Sequence, residues 1–460
     1  MVLEAVGSQL IRDLRPAVRG AVIGRDDVGY DEARAVWNGL VDRHPEVIVR
    51  CAGVDDVVAC VQAARRYRPP VSVRGGGHQV AGSAVCDDGL VIDLSAMRAV
   101  EVDPDARIAR VQGGARWADV DAATQAFGLA TPGGEVSETG VAGLTLGGGL
   151  GLQQRTFGLA CDNVRAMTVV TADGVVRTAD ARENPDLFWA LRGAGRGLGV
   201  VTEFEFELHP LGPDVAAAAL VYPVEAAAPV FRGWRTLAAE APETVAPQFA
   251  LWALPPFPGI PDEVVGLPVV VVLGTYIGDP ADAGPALEPF RGLGEPLLDL
   301  SGTSTWIEAQ SAFDFAIPPG DRYFWKSHFM DELDDEAIDL IVARASRRPD
   351  PRSAVFIRTL GGAIDRTGPD ASAFAHRGSR FNVSIDAIWS DPGLDHASIE
   401  WARGFWDELS PWSRGVYLNF AGFDGETDRG LVLGAHQQRV ERIRRAFDPE
   451  GIFAEAALRP

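Results

Sequence analysis

The residues best suited to chemistry lie where a histidine closes a run of glycines, in Val71-Ser72-Val73-Arg74-Gly75-Gly76-Gly77-His78-Gln79-Val80-Ala81-Gly82-Ser83. Glycine lets backbone N–H groups turn inward and leaves no side chain between them and a ligand. Such a loop suits an anionic group such as a phosphate, with Arg74 as its counter-charge. His78 then sits within reach of whatever the loop holds. A second glycine-rich stretch, TPGGEVSETGVAGLTLGGGLGLQQRTFGLACDN, spans residues 131 to 163. Its glycines are too dense for a stable helix, which predicts loop built for close backbone approach. Ordinary loop glycine would explain either segment alone. Together, with His78 closing the first and Asp162-Asn163 ending the second, they suit a long ligand with a central pyrophosphate. The commoner nucleotide motifs fail, because no cluster reads G-x-G-x-x-G and none carries a P-loop lysine. Neither the histidines nor Cys51, Cys60, Cys86 and Cys161 show metal-ligand spacing, and there is no G-x-S-x-G elbow.

The elements that must position these loops follow from periodicity. Val47–Arg50 reads as a strand, and Asp55-Asp56 as the cap of a helix with Val57, Val58, Val61 and Ala64 on one face. Short strands are predicted at 71–73, 91–94, 100–102 and 108–111, then a helix Trp117–Phe127 with Trp117, Val120 and Phe127 inward. Ala172-Asp173-Gly174 marks a hairpin between 167–171 and 175–178, and 186–192 reads as a short helix. In the following strand Phe204, Phe206 and Leu208 alternate with Glu203, Glu205 and Glu207, so one sheet face is wet. Residues 1 to about 45 read as polar helix. This is an α+β pattern, not regular βαβ repetition. A boundary is expected near His209–Pro213. Beyond it come helices at about 223–240, 331–347 and 395–409 and strands at 269–276, 354–360 and 381–389. A strand-like Val416–Phe420 and a basic helix Gln437–Phe447 close the chain.

Length and charge bound the partners. At 460 residues the chain has room for two or three packed units, at about 150 residues each. Its 47% hydrophobic and 23% charged residues suit a soluble globular protein. A net charge of −22 argues against nucleic acid or an anionic membrane as partner. Lys326 is the single lysine, which codon bias explains. The cysteines read as buried free thiols in a reducing compartment. With no apolar span and no signal-peptide pattern at the N-terminus, the expected location is cytoplasmic.

Arg74-Gly-Gly-Gly-His78, TGVAGLTLGGGLG (139–151), GLACDN (158–163), DLFWALRG (186–193) and GLGVVTEFEFEL (197–208) resemble the FAD-linked oxidases of the vanillyl-alcohol-oxidase, or PCMH-type, superfamily. The branch is the berberine-bridge-enzyme-like one. The resemblance resumes with RYFWKS (322–327), AFAHR (373–377), VYLNF (416–420) and AFDPEGIF (446–453). It implies an α+β fold with a PCMH-type FAD-binding domain of two α/β subdomains at 1–210 (core 45–210). A substrate domain at 211–415, an antiparallel sheet covered by helices, follows, and 416–460 returns to the FAD-binding domain. It also implies FAD bonded covalently to His78. Arg74, Gly75, Gly76, Gly77, Gln79, Gly82 and Ser83 match the loop around pyrophosphate and flavin. Thr139, Gly140, Gly143, Leu144, Gly147, Gly148, Gly149 and Gly151 match a second cradle. Asp162, Asn163, Gly199, Val200 and Val201 match the adenosine end, and Tyr417 and Asn419 fall beside the flavin. Many relatives attach flavin a second time through cysteine; the matching position here is Val136, so a single bond is expected. Cys161 lies elsewhere and reads as a structural thiol.

The substrate side is less defined. Relatives often use a tyrosine from a Y-x-N-Y pattern as base; here Tyr417 is kept and the second tyrosine is Phe420. On 381–389, Asn382, Ser384 and Asp386 share one face, which could line a pocket or face water, while Phe381, Val383, Ile385 and Ala387 belong to the core. Ser384 falls near where relatives place a carboxylate or amide, and a serine alone is a weak base. Tyr323 and Lys326 are further candidates. The family's usual ending is replaced by Glu455-Ala-Ala-Leu-Arg459. The expected activity is oxidation of a small organic molecule, an alcohol, sugar or secondary metabolite, by hydride transfer to flavin, with oxygen regenerating the flavin. A dehydrogenase with another acceptor, or a flavin-binding protein without catalysis, are the alternatives. No metal is expected, and substrate identity and oligomeric state stay open.

Overall fold

In the computed structural model, residues 2–256, 260–421 and 428–453 are described. Among them the chain forms three larger sheets. In the first, Ala21–Gly24, Val47–Arg50, Leu90–Asp93 and Val71–Arg74 lie side by side in that order. The last three strands in this order run parallel, so Val71–Arg74, at the sheet's edge, delivers the glycine loop at the carboxyl end of a buried sheet. The second sheet is antiparallel, in the order 100–103, 108–112, 200–207, 164–170, 176–180. Phe204 and Phe206 are fully buried there, while Glu203, Glu205 and Glu207 lie on the wetter face.

The third sheet is antiparallel and has nine strands among the described residues. Its central order is Asp214–Pro223, Pro268–Tyr276, Val245–Ala253, Ala354–Thr359, Phe381–Trp389, Arg322–Met330. Side chains alternate across it with a period of two. One face, including Phe249, Val355, Ile357, Val383 and Ile385, packs with helices Ala227–Glu240, Asp335–Ala345 and Asp395–Leu409 into one core. The other face looks back toward the first two sheets. Val416, Leu418, Val440 and Ile443, from the end of the chain, share a core with Phe204, Phe206 and Trp117.

Several local expectations are corrected. The N-terminal region is not all helix, since Ala21–Gly24 adds a strand antiparallel to Val47–Arg50. Gly53 caps the helix Val54–Tyr67; Asp56 is buried instead and accepts N–H bonds from Arg19, Gly20 and Ala52. Helix Trp117–Gln125 ends before Phe127, which is 51% exposed. The glycine-rich stretch is not all loop: Val141–Leu146 and Gln154–Phe157 form helices of one or two turns, short enough to carry their glycines without a long helix's cumulative penalty. Val416–Phe420 is no strand; the backbone is extended at Tyr417 and then turns through 418–420. No helix among the described residues is long and apolar enough to cross a membrane.

Candidate active site

The glycine loop and the second segment meet backbone to backbone. A Cβ on Gly76 would lie 2.5 Å from the N and Cα of Gly140, and one on Gly140 would lie 2.3 Å from the N of Gly76. No side chain fits at either position. The approach leaves the edges of both loops free to line a large, partly open cavity. Gly75, Gly76, Gly77, His78, Gln79, Ser83, Thr139, Gly140, Gly143 and Leu144 face it, with Gly199 and Val201 at its far end. Val136 lines it too, with an aliphatic side chain that carries no nucleophile.

His78 is partly buried with its Nε2 screened from solvent, and desolvation lowers its pKa to about 4, so its imidazole is neutral at physiological pH. Its Nε2 has no hydrogen-bond partner among the described residues. The Trp37 ring stacks on it at 4.1 Å between centroids, tilted 18°, and Tyr323 stacks on the other face of Trp37 at 3.7 Å. Trp37 Nε1 donates to Ile317 O at 3.0 Å. Next to it, Asn38 is fully buried and joins two regions. Its Nδ2 donates to Val80 O (2.6 Å) and Tyr323 O (2.8 Å), and its Oδ1 accepts from Tyr323 N (3.0 Å). Trp37-Asn38 thus clamps the glycine loop to the strand Arg322–Met330. Sequence reading passed over this pair; a tryptophan and asparagine inside a polar segment were the available signal.

The structure separates the remaining candidates. Arg74 turns away from the main cavity: it donates to Ala33 O at 2.5 Å, lies 3.8 Å from Asp93, and lines a second cavity together with Gly75–Gly77 and His78. Its charge is therefore committed to the sheet and not to a ligand in the main cavity. Asp162 forms a buried ion pair with Arg377, and Asn163 donates to Phe157 O and Leu159 O, so neither lines the cavity. Gly147, Gly148, Gly149 and Gly151 lie outside it as well. They serve packing: a Cβ on Gly151 would fall 1.7 Å from Gly133 O, and one on Gly147 would meet Asn419. Gly82 and Val200 lie off the lining, Gly82 against Val41. All four cysteines are free and buried, Cys161 beside Asp162.

On the substrate side, Tyr417 and Asn419 reach the cavity. Tyr417 Oη accepts N–H bonds from Gly149, Leu150 and Asn419 at 2.9–3.1 Å. Burial nonetheless pushes its pKa up to about 12, the wrong direction for a base. Tyr323 is buried, raised further by desolvation, and donates to Pro318 O. Lys326 lies on the opposite sheet face, its Nζ 4.4 Å above the Trp406 ring. Ser384 is off the cavity lining and accepts from Arg358 Nη1 at 3.1 Å.

The polar face of Phe381–Trp389 looks into the protein and not into water. Asn382 and Ser384 are fully buried and Asp386 is 4% exposed. Asp386 lines the cavity, directly opposite Trp325 in the sheet register. Desolvation raises its carboxyl to about 7, against the lowering pull of Arg358. Its Oδ2 lies 3.3 Å from Ser384 Oγ, and its Oδ1 has no partner among the described residues. Arg358 Nε donates to Glu135 Oε2 at 2.9 Å, and Gln248 donates to the other oxygen of Glu135. Glu135 comes from the second glycine segment, so this chain of contacts crosses the cavity. Asp386 was visible only as one of three polar residues on a face whose outlook was undecided.

These features fit FAD. The paired glycine loops leave room for a ligand backbone to approach, the unpartnered imidazole faces a buried space, and the cavity continues to a carboxyl poised near neutrality. A family model described as an FAD-binding domain matches residues 45–180. The chain is 36% identical to the FAD-linked oxidoreductase hasG of Aspergillus fumigatus over 466 residues, covering 96% of this chain and 97% of that one. Among solved structures, 6-hydroxy-D-nicotine oxidase from Arthrobacter nicotinovorans superposes with a TM-score of 0.85 at 27% identity, covering 96% of this chain and 98% of that one. Physcomitrella patens BBE-like 1 superposes with a TM-score of 0.87 at 22% identity over 98% and 99%. The protein is an enzyme of the FAD-linked oxidoreductase class. Within that class the chain belongs to the FAD-linked oxidoreductases that include hasG, and it shares its fold with BBE-like 1.

Proposed function

We propose that the protein is an oxidase that removes a hydride and a proton from a small organic molecule. One observation carries the reading: the raised, buried carboxyl of Asp386 faces the same cavity as His78 and the glycine loops. In this reading residues 1–210 and 416–460 hold the cofactor and 211–415 shape the substrate. A cytoplasmic location belongs to the reading and is supported by the free buried thiols.

Gly75–Gly77, Gln79, Ser83, Thr139, Gly140, Gly143 and Leu144 would hold FAD, and neutral His78 would tether it as the single covalent attachment. When bound, FAD supplies the acceptor for the substrate's hydride, and oxygen regenerates it with release of hydrogen peroxide. Asp386, in the form ionised as pH rises through about 7, accepts the proton that the substrate loses as its C–H bond breaks. Arg358 holds that carboxylate's proton affinity down and is itself fixed by Glu135. Tyr417, with its oxygen already accepting N–H bonds, orients the segment 149–150 and takes no part as base.

The test has two arms. Denaturing the purified protein in acid should leave the yellow colour in the pellet, and His78→Ala should release it to the supernatant. A colourless wild-type pellet overturns the tether alone. Oxygen consumption with peroxide formation during turnover supports the oxidase; substrate-driven bleaching without oxygen uptake identifies a dehydrogenase instead.

A further inference from the structure

The wall of the cavity opposite the glycine loops is largely aromatic. Trp252, Phe313, Trp325, Phe356 and Phe420 line it, with Ile388 between them. Their rings meet edge to face: Trp252 and Phe356 at 5.6 Å, Phe313 and Phe356 at 5.9 Å, Trp325 and Phe420 at 5.4 Å. Arg358 and Glu135 on this wall are already paired with protein groups. Arg358 is shared between Glu135 and Ser384 and lies 5.3 Å from the Phe420 ring centre. Glu135 also accepts from Gln248, and the Tyr417 oxygen is occupied by N–H donors. Among the described residues of this wall, the buried side-chain atoms without a partner are Asp386 Oδ1, an acceptor when ionised, and Trp325 Nε1, a donor.

A saccharide carries several hydroxyls on each ring, and each one buried without a partner loses its hydrogen bonds to water. This wall is mostly aromatic and aliphatic, so most hydroxyls of a saccharide laid against it would go unpaired. A planar aromatic molecule loses few such bonds on entry, and its faces and edges match the edge-to-face lining. Resting on the reading of this cavity as the active site, we infer that the substrate is a planar aromatic compound with a hydroxyl or amino group that hydrogen-bonds Asp386, and that it is not a saccharide. Trp252, Phe313 and Phe356 are then specificity-determining residues.

The test uses the purified holoprotein and separates binding from turnover. Titration with 2-naphthol, followed by the flavin absorption band and tryptophan fluorescence, should saturate, whereas xylobiose and cellobiose should leave both signals unchanged. Phe356→Ala and Trp252→Ala should weaken 2-naphthol binding tenfold or more while retaining the yellow pellet. Phe356→Leu and Trp252→Leu, which keep the apolar filling, cover the case in which an alanine variant fails to fold. Anaerobic mixing with aryl alcohols such as vanillyl alcohol should bleach the flavin, and the two disaccharides should not. Bleaching by a disaccharide but by no aryl alcohol, or 2-naphthol binding that is unchanged in all four variants, overturns the substrate class. Saturable 2-naphthol binding with no bleaching by either panel leaves the class standing and removes the oxidase reading.

Discussion

One wall of the cavity is main chain and the other is side chain. Gly75–Gly77 and Gly140 press two loops together so closely that a methyl group fits at neither Gly76 nor Gly140. Trp252, Trp325, Phe356, Arg358 and Asp386 project instead from four strands of one sheet. A backbone wall depends on the absence of side chains, so it admits little substitution. A side-chain wall can be rewritten residue by residue without altering the sheet, so specificity belongs there.

Substitutions that break this comparison should differ in kind. The largest effect is expected from Gly76→Val, whose side chain meets main chain that cannot step aside. Overpacking of this sort costs about 1–3 kcal/mol. The purified variant should be colourless, with a lower Tm; a yellow, stable variant contradicts the cradle. On the other wall, Asp386→Asn should leave the colour intact and lower kcat/KM by about 10²–10⁴. The wild-type profile should rise through about pH 7 as the carboxyl ionises, and the variant should lose that limb. Full activity in the asparagine variant moves the base elsewhere.

A smaller effect is expected from Arg358→Gln. Arg358 lowers the proton affinity of Asp386 and Glu135 raises it, so the substitution removes the restraint and leaves the carboxylate repulsion. The acid limb should move to higher pH, and Arg358→Lys should restore it in part. A limb that stays put shows that Arg358 only fills space.

The pattern in which the sequence was legible follows the same division. The cradle is local: Gly75 to Ser83 are consecutive, and loop glycines before a histidine can be recognised without coordinates. Even so, density misled at Gly147–Gly151, because glycine needed for packing against Gly133 and Asn419 looks the same as glycine needed for a ligand. The substrate wall is non-local. Asp386 faces Trp325 through sheet register, and Arg358 meets Glu135 223 residues away. The period of two placed Asn382, Ser384 and Asp386 on one face, but only burial showed which way the face looks. Tyr417 matches a family pattern and Lys326 offers a charge, but packing directs one into N–H bonds and the other to the far side of the sheet.

The smallest effect concerns stability and not catalysis. Asp121 is buried between the two halves of the chain, accepts from Trp306 at 3.1 Å, and is raised by burial from an ordinary 3.8 to about 7. Its folded value lies above its unfolded one, so the folded state holds the extra proton between them. The stability Asp121 contributes is present below about pH 4 and is lost as pH rises through 7. Asp121→Asn should flatten part of the fall in Tm across that window; an unchanged slope assigns the fall to other groups.

The Asn38 clamp carries a consequence for the order of assembly. The glycine loop is held by bonds to Tyr323, a residue 285 positions beyond Asn38. During synthesis the loop therefore leaves the ribosome long before its support exists. A nascent chain that has completed only its first two sheets has the glycines and His78 but lacks the strand that aligns them. Alignment of the glycines and His78 is thus timed to the arrival of the third sheet.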